Sequence, residues 1–293
     1  MNDTHTISAG GIMATIKADG AELCSLQAAD GLELLWQAGS AWPRHAPWLF
    51  PIVGRLANDE LRHRGRSYRL TQHGFARDLR FQWLERTGRS CILRLTDNAA
   101  TRPRYPFGFG LDITYAVTAA CLDMTVGIAN TGEEALPASF GAHPAFNWPL
   151  LPGVGKESYR LVFPQPEPAP IRRLSGGLIR TEGEPSPVQG AVLQLAERLF
   201  EADAVILDAL ASRSVRYVGP SGPSLEIAWS GFRELGIWSK PSGAAFLCIE
   251  PWRGFASPAG FDGAFSDKPG LMLIAPGETE TLQYRITVGG QGA

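Results

Sequence analysis

Apolar and polar positions alternate most regularly in the middle of the chain. Ile113, Tyr115 and Val117 are interleaved with Asp112, Thr114 and Thr118, and Leu122, Met124, Val126 and Ile128 with Asp123, Thr125, Gly127 and Ala129. Successive side chains of a strand point to opposite faces, so a period of two predicts a half-buried hairpin that ends at Asn130-Thr131-Gly132. Shorter apolar runs at 13–17, 21–26 and 32–36, separated by Asp-Gly turns, predict antiparallel strands near the N-terminus. Others follow at 67–70, 79–83, 159–163, 225–229, 235–238 and 245–249, and the runs at 271–274 and 281–288 are expected to close as a last hairpin around a Pro-Gly-Glu turn.

Between these runs lie segments of another kind. Over 41–54, Pro43, Pro47 and Pro51 stand among Trp42, Trp48 and Phe50, and each proline removes a backbone donor, so this reads as an aromatic-lined loop. Residues 149–187, rich in Pro, Gly and charge, read as a long surface excursion. Periodicity leaves 199–208 open between strand and helical turn. No segment carries a long capped amphipathic helix and no unit repeats, so the expectation is an all-β chain forming one domain over residues 1–293.

With 293 residues, 44% of them hydrophobic and 19% charged, the chain can bury a large core. A net charge of -2 with scattered basic residues offers no footprint for nucleic acid. The start, Met1-Asn2-Asp3-Thr4-His5-Thr6, lacks a basic and apolar leader, and no run of about 18 apolar residues occurs. A soluble, cytoplasmic protein without a membrane partner is expected. The four cysteines, Cys24, Cys91, Cys121 and Cys248, are far apart with no CxxC spacing, which argues against a zinc site or a redox pair.

Chemistry concentrates in Gln72-His73-Gly74-Phe75-Ala76-Arg77-Asp78, where an imidazole, a guanidinium and a carboxylate share one short bend. The same residues would serve as a plain surface turn with an Arg77–Asp78 pair. Arg55, after Gly54, is either a surface charge or a ligand clamp. His143 follows small residues and precedes Pro144, which favours an extended strand end. Glu250 comes directly after the apolar run 245–249, walled by Pro251 and Trp252; lost hydration would raise its pKa and suit it to proton transfer.

Together, Phe50-Pro51-Ile52-Val53-Gly54-Arg55-Leu56, Gln72 to Asp78, Gly141-Ala142-His143-Pro144-Ala145-Phe146-Asn147 and Cys248-Ile249-Glu250-Pro251-Trp252 resemble, in order and spacing, the successive motifs of the aldose 1-epimerase (galactose mutarotase) family. The nearest resemblance is to a bacterial, lactose-operon-associated mutarotase-like branch; the HGFARD and IEPW signatures are shared in part with glucose-6-phosphate 1-epimerases. The resemblance implies a supersandwich of large antiparallel sheets with a sugar cleft and no metal or organic cofactor. It implies Glu250 as base, His143 as general acid and His73 as a further active-site histidine. Arg55, Arg77 and an aspartate, Asp203 or Asp208, would contact the substrate, and Trp252 or another aromatic would cover the sugar's apolar face. One departure bears on sugar preference: galactose mutarotases carry a second arginine after an asparagine, whereas here Asn58 precedes Asp59.

The expected reaction is anomer interconversion by ring opening and reclosure, with one base and one acid on opposite sides of the reacting centre. Its substrate is a free hexose or a hexose 6-phosphate. Two other classes compete. A non-catalytic sugar-binding module would not need both His143 and Glu250. A metal-dependent β-fold enzyme would need clustered ligands, whereas the histidines stand singly in the sequence.

Overall fold

The computed structural model describes residues 3–241 and 243–290. Two large antiparallel sheets dominate it. One has nine strands in the spatial order Val192–Gln194, Arg160–Val162, Ser214–Val218, Ser224–Ser230, Thr279–Gly289, Cys121–Asn130, Phe109–Thr118, Ser90–Thr96 and Gln82–Arg86. At its centre is the predicted hairpin, in register from Cys121 opposite Thr118 to Asn130 opposite Phe109. The alternation read from the sequence is realised side chain by side chain, with Ile113, Tyr115, Val117, Leu122, Met124, Val126 and Ile128 buried.

The second sheet orders Val205–Leu207, Glu234–Trp238, Phe246–Arg253, Phe140–Ala142 and Trp48–Leu49, with Ala145–Asn147 also paired to Phe246–Arg253. Its core face carries Leu235, Ile237, Leu247 and Ile249 into the main buried cluster, which runs from Ile7 to Ile286. Aromatic side chains join the two sheets. The Trp48 indole N–H donates to Tyr115 Oη at 2.7 Å, and its ring lies edge-on to Tyr284 at 6.5 Å. The opposite face of the second sheet is also covered, by loops and a small hairpin at 174–179, and holds Trp238, Phe246, Cys248, Glu250 and Trp252.

Several expectations change at their edges. A strand at Thr4–Ala9, outside the runs read as strands, pairs with Ile12–Lys17. Within the proline-rich loop, Trp48 and Leu49 do form a short strand, at the sheet's edge where a proline-flanked segment fits. The expected last hairpin does not form. Met272–Ile274 pairs with Leu136–Ala138 in a small sheet of its own, while Thr279–Gly289 joins the nine-stranded sheet. Asn130 explains the divergence: its side-chain amide donates to the Ile274 carbonyl at 2.7 Å and its backbone carbonyl accepts from Gly277 at 3.0 Å, which turns the chain from one sheet to the other.

The open stretch 199–208 resolves into a 3-10 turn, Glu197–Phe200, and the strand Val205–Leu207. The excursion 149–187 contains the sheet strand Arg160–Val162 and a small hairpin, Leu174–Ser175 with Leu178–Ile179, that returns to the cleft described below. All four cysteines are free; Cys91 and Cys248 are buried, and Cys24 and Cys121 partly so. Among the described residues no helix is long and apolar enough to cross a membrane.

Candidate active site

Glu250 stands inside the strand Phe246–Arg253, not after it. Phe246, Cys248, Glu250 and Trp252 share the face turned away from the main core, as the period of two requires. Pro251 is accommodated because the neighbouring chain on one side changes there from Phe140–Ala142 to Ala145–Asn147, interrupting the ladder. Trp252 lies flat across this face. A Cβ on Gly236 would sit 2.3 Å from its ring, and one on Gly141 2.8 Å, so both neighbouring strands leave the indole room by having no side chain. Its N–H donates to Glu250 Oε2 at 3.2 Å.

His143 reaches the same carboxylate from the bend between Phe140–Ala142 and Ala145–Asn147, with Nε2 3.3 Å from Glu250 Oε2. Its ring stacks on Trp42 at 4.9 Å and 23°, and Trp238 meets it edge-on at 6.1 Å. The Trp42 carbonyl accepts from the Trp36 indole at 2.7 Å, which anchors that side of the stack. Nδ1 of His143 is buried without a hydrogen-bond partner.

His73 enters from the far wall on a left-handed residue, φ 66°, followed by Gly74 at φ 68°. Any Cβ at Gly74 would lie 2.3 Å from the Phe50 carbonyl oxygen, so only glycine permits this approach. The segment is stitched to the motif before it. His73 N–H donates to the Gly54 carbonyl at 2.8 Å, and Gly54 N–H donates to His73 Nδ1 at 3.1 Å. Because Nδ1 accepts that bond, the neutral ring carries its proton on Nε2 and is a hydrogen-bond donor.

These groups line one cleft of about 320 Å³ with Gln72, Arg77, Asp203 and the wall formed by Ala204, Ile206 and Leu174. Burial pushes Glu250 well above the carboxylate range, the Asp203 charge adding to it and the Trp252 bond opposing it. Burial also pulls His143 down to about 3, aided by the Arg77 charge. Either group charged alone would be an uncompensated ion in a dry site, whereas one proton shared across 3.3 Å leaves the pair with no net charge. His73 is held well below the imidazole range by burial first, then by His143 and Arg77. Arg77, drawn down to about 10 by burial and by Arg44, stays protonated at neutral pH and donates through Nη2 to the Gln72 carbonyl at 2.9 Å.

Six of the seven site residues expected from the sequence therefore line the cleft: Glu250, His143, His73, Arg77, Asp203 and Trp252. Arg55 does not. Its guanidinium forks onto Asp59, Nε to Oδ1 at 2.7 Å and Nη2 to Oδ2 at 3.2 Å, while its stem packs beside Gly177. The aspartate that departs from the galactose mutarotase pattern thus holds the first arginine. Of the two candidate aspartates, Asp208 is bound to Arg172 at 3.0 Å, away from the lining, and Asp203 borders the cleft in a left-handed conformation. The expected acid and base on opposite sides are instead neighbours. That suits a reaction in which both acting oxygens are bonded to one carbon.

Trp42, Trp238 and Gln72 were not singled out by sequence. Gln72 adjoins His73 in the same motif and Trp42 belongs to the aromatic loop, so adjacency was their only signal. Cys248 entered the sequence reading only as one of four cysteines without CxxC spacing. Although the histidines stand singly in sequence, one donor atom each of His143, Cys248 and Glu250 lies within 4.8 Å of the others.

Comparison with known proteins places this geometry in context. Residues 3–260 match the family described as aldose 1-epimerase. The plasmid-encoded protein LacX of Lactococcus lactis subsp. lactis is 32% identical over 283 residues, covering 93% of this chain and 95% of that protein. Among solved structures, the galactose mutarotase related enzyme of Lactobacillus acidophilus superposes with a TM-score of 0.91 at 32% identity, covering 98% of this chain and 97% of the other. A galactose mutarotase-like protein of Lactobacillus casei gives 0.88 at 28%, covering 97% and 99%.

Proposed function

The chain belongs to the aldose 1-epimerase family, and from that membership and the geometry of the cleft we propose that it interconverts the α and β anomers of a free hexose. The observation that carries the reading is the Glu250–His143 contact at 3.3 Å. Opening a pyranose removes a proton from the C1 hydroxyl while the ring oxygen gains one. Both oxygens sit on C1, so the base and the acid must be neighbours that face one atom.

The shared proton provides both partners. Shifted to His143, it leaves Glu250 as a carboxylate that accepts the C1 hydroxyl proton and His143 as an imidazolium that donates to the ring oxygen. The C1–O5 bond breaks as the C1 carbonyl forms. After rotation about C1–C2 the O5 hydroxyl attacks the other face of the carbonyl, returns its proton to His143 and draws the proton from Glu250 onto O1. Both residues end as they began, and no cofactor enters. The Nε2–H of His73 and the guanidinium of Arg77 donate to sugar oxygens, Asp203 accepts from hydroxyls, and Trp42, Trp238 and Trp252 exclude water. On this reading the protein would act on free hexoses in the cytoplasm.

A free sugar is favoured over a 6-phosphate by the charges in reach. Among the described residues Arg77 is the one arginine or lysine lining the cleft, which Asp203 and Glu250 also line, while Arg55 is held by Asp59 and Arg44 by Asp78. A phosphate dianion would meet one cation and two carboxyl groups. Polarimetry with freshly dissolved α-glucose, α-galactose and their 6-phosphates tests both parts. Faster equilibration of a free sugar is expected. Turnover confined to a phosphorylated sugar would replace the substrate assignment, and no acceleration of any sugar would overturn the activity.

A further inference from the structure

Cys248 has no part in the reaction above, yet it lies two residues from Glu250 on the same strand face, with His143 beside both. We propose that His143, Cys248 and Glu250 form a binding site for a soft divalent cation, with Zn²⁺ as the reference ion, whose occupancy blocks the cleft's proton transfer. The blockade rests on the function proposed above; the binding does not.

Three observations carry the site. The first is spacing. Nitrogen, oxygen and sulfur ligands about 2.0–2.3 Å from zinc at tetrahedral angles stand about 3.3–3.6 Å from one another. His143 Nε2 and Glu250 Oε2 already stand at 3.3 Å. One donor atom from each of the three residues lies within 4.8 Å of the others, so closing the separations by no more than about 1.5 Å brings the trio to zinc geometry. The second is charge. A thiolate and a carboxylate balance the ion's two positive charges, so the filled site is neutral, as its burial among Trp42, Trp238 and Phe246 demands. The third is the imidazole, a buried polar side chain whose Nδ1 has no hydrogen-bond partner, so only the proton shared with Glu250 has to be displaced for the ring to take an ion.

On binding, Zn²⁺ displaces the thiol proton and the proton shared by Glu250 and His143, both of which pass to water. Its fourth position faces the cleft and takes a water or a sugar hydroxyl. The ion then occupies the lone pairs that the reaction uses, and neither a base nor an acid remains. A sulfur ligand selects zinc, cadmium or cobalt over magnesium and calcium.

The test uses the full chain freed of metal by a chelator. Titration of Zn²⁺ against a chromophoric zinc indicator should show one ion per chain, unaffected by excess Mg²⁺. Co²⁺ should give tetrahedral absorption with a thiolate-to-cobalt charge-transfer band. Cys248→Ala and the nearly isosteric Cys248→Ser should lose that band and weaken Zn²⁺ at least about tenfold, since only the soft ligand is removed. Cys91→Ala, a buried cysteine elsewhere, should change neither. Thermal unfolding in chelator checks that each variant is folded. Polarimetry should show mutarotation inhibited by Zn²⁺ in the wild type, restored by chelator, and resistant in Cys248→Ala. Absence of stoichiometric binding, equal affinity in folded Cys248 variants, or a cobalt spectrum without the thiolate band overturns the site. Mutarotation untouched by bound zinc overturns the blockade. A chain that binds zinc through Cys248 yet turns over no sugar leaves the site standing and refutes the proposed activity instead.

Discussion

The hairpin Phe109–Thr118 with Cys121–Asn130 and the strand Phe246–Arg253 are both central in their sheets, but they use their faces differently. The hairpin buries one face, and its other face is only partly covered and carries Asp112, Thr114, Asp123 and Thr125. The strand buries both, Leu247 and Ile249 in the main core and Phe246, Cys248, Glu250 and Trp252 under the cleft. A face with access to water tolerates any polar residue. A covered face admits a carboxylate only where partners satisfy it, and there the lost hydration changes its acidity. The second strand gives up alternation and gains a titratable pair where water is scarce.

The largest expected difference between the two faces of the strand comes from Glu250→Gln. The amide keeps the shape and still accepts from Trp252, but cannot take a proton, so kcat should fall by about 10²- to 10⁴-fold. The same variant should be more heat-stable than the wild type at neutral pH. A glutamate whose folded pKa is raised binds more protons folded than unfolded, so its contribution is most favourable below the unfolded value near 4.5 and declines as pH rises. The stability gap between Gln and Glu should therefore widen from about pH 4.5 upward. A gap that narrows with pH would contradict the burial argument, and near-wild-type turnover would remove Glu250 as the base.

One residue earlier, Ile249→Ala opens a void on the core face and should cost about 2–5 kcal/mol. Urea unfolding measures it. If the folded fraction keeps its kcat, the two faces are separable; if stability is unchanged, the core face is looser than its full burial implies.

The two histidines differ next. His143→Asn removes the proton donor and should lower kcat about 10²-fold or more. His73→Asn removes a neutral hydrogen-bond donor worth about 0.5–1.5 kcal/mol, so about tenfold at most and largely in KM. Steady-state polarimetry of both variants decides, and the reverse order would exchange their roles.

The smallest contrast is between glycines. Gly236→Ala would push Trp252 aside, since its Cβ falls 2.3 Å from the indole, and should cost about tenfold in kcat by removing a hydrogen bond to Glu250. Gly127→Ala in the hairpin has 3.8 Å of clearance and should leave activity alone and stability within about 1 kcal/mol. Equal behaviour of the two would mean that the position of Trp252 does not matter.

Much was legible without coordinates. The period of two at 109–130 reports only on neighbours in the chain and on one buried face, so it predicts a strand wherever that condition holds, and the same holds for most of the runs read as strands. The motifs around His73, His143 and Glu250 were legible as a set through their resemblance, in order and spacing, to the aldose 1-epimerase family; taken singly, the turn that Gly74 permits and the extended backbone before Pro144 were equally compatible with a plain structural role. Only the tertiary structure decided which distant groups meet. Met272–Ile274 left its sequence neighbour for Leu136–Ala138 because Asn130 bonds across 144 residues of chain, a contact no local pattern contains. Arg55 was withdrawn from the cleft by Asp59, and Asp203 and Asp208, alike in sequence, were separated by Arg172. The acidity of Glu250 depends on its burial, on the Trp252 indole and on Asp203, and Cys248 acquires significance only through the histidine brought next to it. Local pattern fixes backbone geometry because that energy is short-ranged. Site chemistry depends on desolvation and on charges a few ångströms away, and those are properties of the packed chain.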